Sequence, residues 1–243
     1  MQNVFLTAYW ENLIMANYPL PPELLQDYVP SGTELDFYEG QCYVSLVGFL
    51  FRDTRLRGVP IPFHRNFEEI NLRFYVRYQD GDEWKRGAVF ISEVVPRPAI
   101  TIVANTLYGE HYSTRQMRHR WDKKADSWQI SYGLKQGGRW HELSVEARPE
   151  AVPLQEGSEE QFIAEHYWGY TKRGAGRTSE YRVEHPSWRT FPVDSYEISM
   201  DGRALYGDAF GEVIEQGPSS VFLAEGSEVQ VRQGRWLPSG KNG

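Results

Sequence analysis

The sequence predicts an α+β protein that is mostly antiparallel β-strand, with a few short helices. Segments of alternating apolar and polar residues recur along the chain, with turns rich in glycine between them. Phe, Trp and Tyr make up 14% of the 243 residues, and aromatic side chains favour strands. Regular strands joined by tight turns also favour a sheet that closes on itself.

Four stretches have the signals of a short helix. Proline stands at the start of two of them, and Gly109 follows one in the position of a left-handed stop. Ser158 and Gln161 have the spacing of a capping box. The predicted helices are Pro21–Tyr28, Pro98–Leu107, Ser158–His166 and Ala204–Glu215.

The strands of the first half are predicted in most detail. Cys42–Phe51 is an almost unbroken apolar run, typical of a strand buried on both faces. Ile70–Tyr78 alternates and is joined to Gly87–Val94 by the turn Gln79–Arg86, which predicts a hairpin. Arg52–Phe63 carries one glycine and two prolines and is predicted as a loop. The later predicted strands are Arg115–Trp121, Trp128–Leu134, Leu143–Ala147, Thr178–His185, Val193–Met200, Val221–Ala224 and Val229–Arg232.

Alternation assigns the polar side chains of the hairpin to faces. In the first strand, Arg73 and Tyr75 lie on the polar face. If that face points inward, the guanidinium group of Arg73 offers a positive charge and paired N–H donors to a carboxylate or phosphate. If it points outward, it is an ordinary solvated strand face. In the second strand, Glu93 falls on the face of Val89 and Ile91, which predicts either an ion pair with an arginine or a catalytic role.

Bulk composition limits the domain organisation and the partners. No linker rich in Pro, Gly or Ser divides the chain, so we expect one domain over residues 1–237 and a flexible tail at Pro238–Gly243. The formal net charge is −7, from 26 basic and 33 acidic residues, which argues against a nucleic-acid partner.

Cysteine content and hydropathy predict the cellular setting. Cys42 is the single cysteine, so no internal disulfide forms, and it is expected to be a small buried hydrophobe. No run approaches the roughly 18–20 apolar residues of a membrane helix. Met1–Tyr18 lacks the basic residues of a secretory signal. We therefore expect a cytoplasmic protein with no membrane partner, and the sequence leaves the oligomeric state open.

Common catalytic motifs are absent. The chain has no Walker A sequence, no G-x-S-x-G elbow and no H-E-x-x-H pair, and its six histidines lack metal-ligand spacing. We predict no cofactor and no metal. A site assembled from distant histidines, or a Ser-His-Asp triad, stays open because such residues converge in space.

Three stretches carry a family resemblance. They are Pro30–Phe51, Ile70–Tyr112 with Ile-Asn-Leu-Arg-Phe-Tyr-Val and Tyr-Gly-Glu-His-Tyr, and Phe162–Val193 with Phe-Ile-Ala-Glu-His-Tyr-Trp-Gly-Tyr-Thr. Together they resemble the YqjF-like family of uncharacterised bacterial proteins over nearly the whole chain. That family is similar in fold to acetoacetate decarboxylase, which implies a double-sheeted, barrel-like domain around a central cavity.

The same resemblance implies a change of chemistry. The decarboxylase carries a reactive lysine after its central helix, and the matching position here falls on His111 or Tyr112. A Schiff-base lysine must be desolvated or lie beside another cation to be neutral. The lysines of this chain lie in predicted turns, loops or the tail, with Lys85 in an acidic turn. A lysine imine mechanism is therefore not expected.

The candidate catalytic residues are Glu110, His111 and Tyr112, which follow the predicted helix stop. Histidine acts as a general base near neutral pH, although capping or packing explains these residues equally well. The candidate ligand-binding residues are Arg73, Tyr75, Glu93, Tyr170 and Arg182. The aromatic stretch Tyr167–Trp188 lines a pocket or fills the core.

The favoured function is binding of a small, acidic organic molecule in a central cavity. The first alternative is an acid/base enzyme acting on a carbonyl or carboxylate substrate. The second is a protein–protein interaction module, which a large exposed apolar patch would favour.

Overall fold

Two β-sheets and a few short helices make up the protein, as the α+β prediction requires. The structure, a computed structural model, describes residues 3–237, with the side chains of residues 107, 108 and 175 left out. The predicted tail Pro238–Gly243 lies outside the described residues. The strands are β1 (Val4–Leu20), β2 (Glu34–Leu35), β3 (Cys42–Leu56), β4 (Val59–Pro60), β5 (Phe67–Asp80), β6 (Glu83–Val95), β7 (Tyr112–Thr114), β8 (Met117–Lys123), β9 (Trp128–Gln136), β10 (Arg139–Ala147), β11 (Val152–Pro153), β12 (Trp168–Arg173), β13 (Arg177–Glu184), β14 (Arg189–Phe191), β15 (Val193–Ser199), β16 (Ser220–Arg232) and β17 (Arg235–Trp236).

The helices are short. Pro98 begins the first of them, and a π-helical turn, Ala104–Tyr108, continues it to Gly109, whose φ of 64° ends it in the predicted left-handed conformation. Ser158 caps the second by accepting a hydrogen bond from the Gln161 amide, as the capping box predicts. The helices are α1 (Pro98–Val103), α2 (Glu159–Ala164), α3 (Gly202–Tyr206) and α4 (Asp208–Glu215), with 3-10 turns at Pro22–Leu25 and Gly174–Gly176. No helix in residues 3–237 is both long and apolar enough to cross a membrane.

The larger sheet closes into a ring. Its strands pair in the order β16-β1-β3-β5-β6-β12-β13, and β13 then pairs with β16 through Val183 and Val231. All of these pairings are antiparallel except β6 with β12. The second sheet has the order β15-β10-β9-β8. Closure removes most exposed strand edges from the ring and gives its strands an inner and an outer face.

Both faces of the central strands are buried. On the outer face, residues such as Leu46 and Phe74 pack against Tyr132 and Leu143 of the second sheet. On the inner face, Val47 and Tyr75 pack with Phe162 of α2. This two-sided burial explains the unbroken apolar run Cys42–Phe51 and confirms its prediction as a doubly buried strand.

The hairpin of β5 and β6 is confirmed and is longer than predicted. Its two strands pair as far as Asp80 and Glu83, so only two residues, Gly81 and Asp82, form the turn. Gly81 has a φ of 65°, a conformation that glycine adopts without strain. Lys85, predicted in a turn, therefore belongs to β6.

Four other predictions require correction. Arg52–Phe63 is not all loop, because β3 runs on to Leu56 and pairs with β4. The predicted helix Ala204–Glu215 is two helices, because Gly207 (φ 82°) breaks it. The two closing strands are one strand, β16. The sequence predicts no strand before Pro21, yet β1 is the longest, and an irregularity at Asn12 (φ 52°) disrupts its alternation.

Gly226 is the tightest point of the β1–β16 pairing. A Cβ atom there would lie 2.0 Å from the carbonyl oxygen of Trp10, and Gly226 has a φ of 83°. Gly217 has the same φ, but a Cβ atom added there would have no heavy atom within 4 Å. Alanine substitutions at the two positions therefore separate the energetic cost of steric overlap from that of backbone strain.

We expect Gly226→Ala to lower the free energy of unfolding by at least about twice as much as Gly217→Ala, which carries only the roughly 1–2 kcal/mol of left-handed strain. Urea unfolding of both variants measures the difference. Equal losses would mean that the β1–β16 contact relaxes at no cost.

Candidate functional site

The interior of the ring holds a cavity of about 240 Å³. Its walls are mostly apolar side chains of the ring strands and of α1, and the exposed residues Ile61 and Val103 lie on its rim. This volume is smaller than the roughly 300–1,000 Å³ of typical ligand pockets, so it suits a small metabolite. Its polar wall is formed by Glu69, Asn71, Arg73, Glu93, Glu110 and Tyr112, with Tyr181 beside them.

Strand β5 supplies half of the polar wall by simple alternation. Glu69, Asn71 and Arg73 occupy every second position and all line the cavity. The intervening residues Ile70 and Leu72 face the second sheet. The polar face of β5 is therefore the inner face at Arg73, whereas Arg77, near the strand end, is partly exposed and pairs with Glu34.

A β-bulge in β6 adds Glu93 to this wall. Leu72 pairs with Ser92 but Arg73 pairs with Phe90, so Ile91 is an extra residue in β6. Phe90 and Glu93 consequently both line the cavity, although they are three positions apart in the sequence. The prediction that Glu93 shares the face of Val89 and Ile91 is wrong, because strict alternation does not hold across a bulge.

The corner after α1 brings in Glu110 and Tyr112. Asn105 fixes it with two hydrogen bonds to the backbone of Tyr112: its Nδ2 donates to the carbonyl oxygen and its Oδ1 accepts from the amide, each at 2.9 Å. Strand β7 then runs parallel to β6. Glu110 and Tyr112 line the cavity, while His111 between them is exposed, with its Nδ1 3.3 Å from the Phe90 carbonyl oxygen.

Two of the buried carboxyl groups, Glu69 and Glu110, accept hydrogen bonds from neighbouring side chains. Tyr112 donates to Glu69 Oε2 at 3.1 Å, and Asn71 Nδ2 donates to Glu69 Oε1 at 3.0 Å. Thr171 donates to Glu110 Oε1 at 2.6 Å. The sequence did not single out Glu69 or Thr171. The signal for Glu69 was its place two residues before Asn71 in the same alternation.

Burial and mutual repulsion make these carboxyl groups weak acids. Burial raises the pKa of Glu69 to about 7 and that of Glu110 to about 7. Burial, together with the charges of Glu110 and Glu69, raises the pKa of Glu93 well above its usual value. Burial also raises the pKa values of the Tyr112 and Tyr181 hydroxyls, which therefore stay protonated. The cluster can hold and exchange protons near neutral pH.

Arg73 is a buried cation without an ion pair among the described residues. It is 8% exposed, its Nε donates to the Tyr75 hydroxyl at 3.3 Å, and its Nη2 lies 3.9 Å from Met15 Sδ. Tyr75 in turn donates to Ser45, and Ser45 to Asn17. This chain of hydrogen bonds orients the guanidinium group, whose positive charge also acts on Glu69 and opposes the rise of its pKa.

The other predicted ligand-binding residues lie outside the cavity. Tyr75 is buried behind Arg73. Tyr170 is fully buried and donates to Glu180 at 3.2 Å. Arg182 has a half-exposed side chain that pairs with Glu184. Of the aromatic stretch, Tyr181 lines the cavity, whereas Trp188 stacks on His185 in the core.

Lys85 is buried, which corrects its predicted place in a turn. Its amine pairs with Asp80, lies 3.8 Å from Glu180, and sits 4.4 Å from the centre of the Trp168 ring. Lys85 does not line the cavity. It therefore lacks the location that an imine mechanism inside the cavity requires. Among the described residues, no cluster of three His, Cys, Asp or Glu side chains is arranged to hold a metal ion.

A family model matches residues 7–228, and that family is DUF2071, described as an uncharacterized conserved protein. The chain belongs to the DUF2071 family. It is 30% identical over 226 residues to the uncharacterized protein YqjF of Bacillus subtilis (strain 168), covering 90% of this chain and 87% of YqjF. The resemblance predicted from sequence is confirmed.

Solved structures share the fold of this DUF2071 protein. Acetoacetate decarboxylase from Legionella pneumophila subsp. pneumophila str. Philadelphia 1 superposes with a TM-score of 0.64 at 14% identity, over 96% of this chain and 87% of that enzyme. The enduracididine biosynthesis enzyme MppR complexed with pyruvate has a TM-score of 0.63 at 15% identity, over 96% and 90%. These likenesses confirm the predicted acetoacetate decarboxylase-like fold.

Glutamine mimics a protonated glutamate, so Glu93→Gln isolates the effect of ionising that group. A carboxyl group whose pKa is higher folded than unfolded stabilises the fold below its unfolded pKa, and this contribution is lost as pH rises toward the folded pKa. We expect Glu93→Gln to gain stability relative to the unmodified protein between pH 5 and pH 8, by at least about 1 kcal/mol. Urea unfolding at both pH values measures it.

The matched control is Glu156→Gln, which removes an exposed carboxyl group. Its stability difference from the unmodified protein should stay the same at both pH values. If the stability difference between Glu93→Gln and the unmodified protein is also the same at both pH values, Glu93 ionises in the folded protein as it does in the unfolded chain.

Proposed function

We propose that this protein binds a small organic acid inside the ring, with the ligand carboxylate held by Arg73. The observation that carries the proposal is a buried guanidinium group without an ion pair among the described residues, on the polar wall of a mostly apolar cavity. A buried cation is costly unless it is paired, and a planar fork of N–H groups matches a carboxylate. The fold neighbour MppR in complex with pyruvate, a small carboxylate, supports the same ligand class.

Arg73→Met should weaken binding of small carboxylates by about 10- to 100-fold, because a charge-assisted hydrogen-bonded pair is lost. Isothermal titration with pyruvate, acetoacetate and 3-methylbutanoate measures the affinity. Arg73→Lys keeps the charge without the fork and should give an intermediate loss.

The control is Arg77→Met, which removes an arginine of the same strand that pairs with Glu34 outside the cavity. It should bind as the unmodified protein does. Binding that is equal in Arg73→Met and Arg77→Met, or absent for every carboxylate at millimolar concentration, would refute the proposal.

A second candidate function is acid/base catalysis on a carbonyl substrate. Its support is the pKa of about 7 at Glu69 and Glu110, since a general acid or base works best near the ambient pH. Tyr112 donates to Glu69 at the cavity wall and can polarise a carbonyl oxygen. Glu69 and Tyr112 thus take the roles that the sequence offered to His111 and Tyr112.

An enzyme of this kind should exchange hydrogen for deuterium at the carbon beside the carbonyl group of small 2-oxo acids in D2O. We expect Tyr112→Phe and Glu69→Gln to slow the exchange by about 100-fold, because each removes one proton-transfer partner. Proton NMR measures the rate. His111→Asn is the control. If only that variant slows the exchange, His111, and not Glu69 or Tyr112, is the proton-transfer residue.

A further inference from the structure

Four buried polar atoms of cavity-lining residues lack a hydrogen-bond partner within the described chain: Trp10 Nε1, Thr54 Oγ1, Asn71 Oδ1 and Glu93 Oε2. Asn71 and Glu93 are the two of these residues that belong to the polar wall. Both residues line the cavity, each is 2% exposed, and they lie directly opposite each other in the pairing of β5 and β6. Buried polar atoms are nearly always paired, so this position marks where a ligand group or water donates hydrogen bonds.

The free atoms define the chemistry of the missing group. Asn71 uses its Nδ2 to donate to Glu69, which leaves its Oδ1, an atom that only accepts. Glu93 is surrounded by the charges of Glu69 and Glu110. This end of the cavity therefore requires a donor and favours a positive charge. Arg73, two residues from Asn71 on the same face, requires a negative charge.

We propose that the ligand is a small zwitterionic amino acid, with its carboxylate on Arg73 and its ammonium group between Asn71 and Glu93. This proposal rests on the proposed function and specifies its ligand. The apolar side chain of this amino acid contacts wall residues such as Leu13, Phe49 and Phe90. An ammonium group supplies several hydrogen-bond donors and offsets the carboxylates, whereas an oxo group supplies no donor.

The net number of protons exchanged on binding distinguishes an amino acid from a ligand that carries only a carboxylate, because it has the opposite sign for the two. The groups that face the ammonium position or act on it are Glu69 and Arg73 on β5, Glu93 on β6, Glu110 and Tyr112 at the corner, Tyr181 on β13 and Arg173 on β12. An ammonium ion lowers the pKa values of the carboxyl groups, so an amino acid releases protons near pH 7. A ligand with only a carboxylate raises them and takes up protons.

The experiment is isothermal titration at pH 7 in two buffers that differ in ionisation enthalpy. The probes share one carbon skeleton: L-valine, 3-methylbutanoate and 3-methyl-2-oxobutanoate. We expect valine to bind at least about 10-fold more tightly than the other two and to release protons, because it gains charge-assisted hydrogen bonds at Asn71 and Glu93. The two acids should bind more weakly and take up protons.

Asn71→Leu removes the acceptor at nearly constant size. It should weaken valine binding by about 10-fold more than it weakens 3-methylbutanoate binding, because only valine has an ammonium group to lose a partner. Gln129→Leu, at an exposed amide of the second sheet, is the control and should change neither affinity. If Asn71→Leu does not fold, the probe series on the unmodified protein decides alone.

Each other outcome has one meaning. Equal binding of the three probes would show that water fills the gap, which overturns the amino-acid proposal and leaves Arg73 as a carboxylate site. Tightest binding of the oxo acid with proton uptake would overturn it in favour of an oxo acid. Binding of no probe, or binding unaffected by Arg73→Met, would refute the proposed function itself.

Discussion

The pairing of β13 with β16 is the interaction on which the site depends, because it closes the ring. A closed sheet has an interior walled on every side, and polar groups placed there lose most of their water. Burial is accordingly the largest cause of the raised pKa values of Glu69, Glu93 and Glu110. The same closure buries Arg73, whose Nε donates to the Tyr75 hydroxyl.

Irregularities in two strands bring additional side chains to the cavity wall. In β6 the extra residue Ile91 brings Phe90 and Glu93 to the same wall, and in β1 the irregularity at Asn12 does so for Trp10 and Leu13. Each pair is three residues apart, a spacing that a regular strand would divide between its faces. The cavity wall is therefore built partly by departures from alternation.

The chain shares the fold of acetoacetate decarboxylase, and no lysine lines the cavity among its described residues. The buried lysine of this chain, Lys85, is held by Asp80 and Glu180 outside the cavity. Inside it, the polar side chains include one arginine, three carboxyl groups, the amide of Asn71 and the hydroxyls of Tyr112 and Tyr181, with Thr54 and His64 also on the wall. Such a set suits the two proposals, binding of a charged ligand and acid/base chemistry, because these side chains include charged groups and groups that can exchange protons.

The sequence by itself determined the fold class, the family, the β5–β6 hairpin and the helix stop at Gly109, because alternation, capping residues and turn glycines act over a few neighbouring residues. It also identified Arg73 and the Glu110–Tyr112 corner as candidates. Only the tertiary structure decided that Glu93 leaves the face of Val89, that His111 points to solvent, and that Lys85 is buried. Those outcomes depend on a bulge, on the Asn105 contacts and on pairing between strands distant in sequence, none of which local patterns encode.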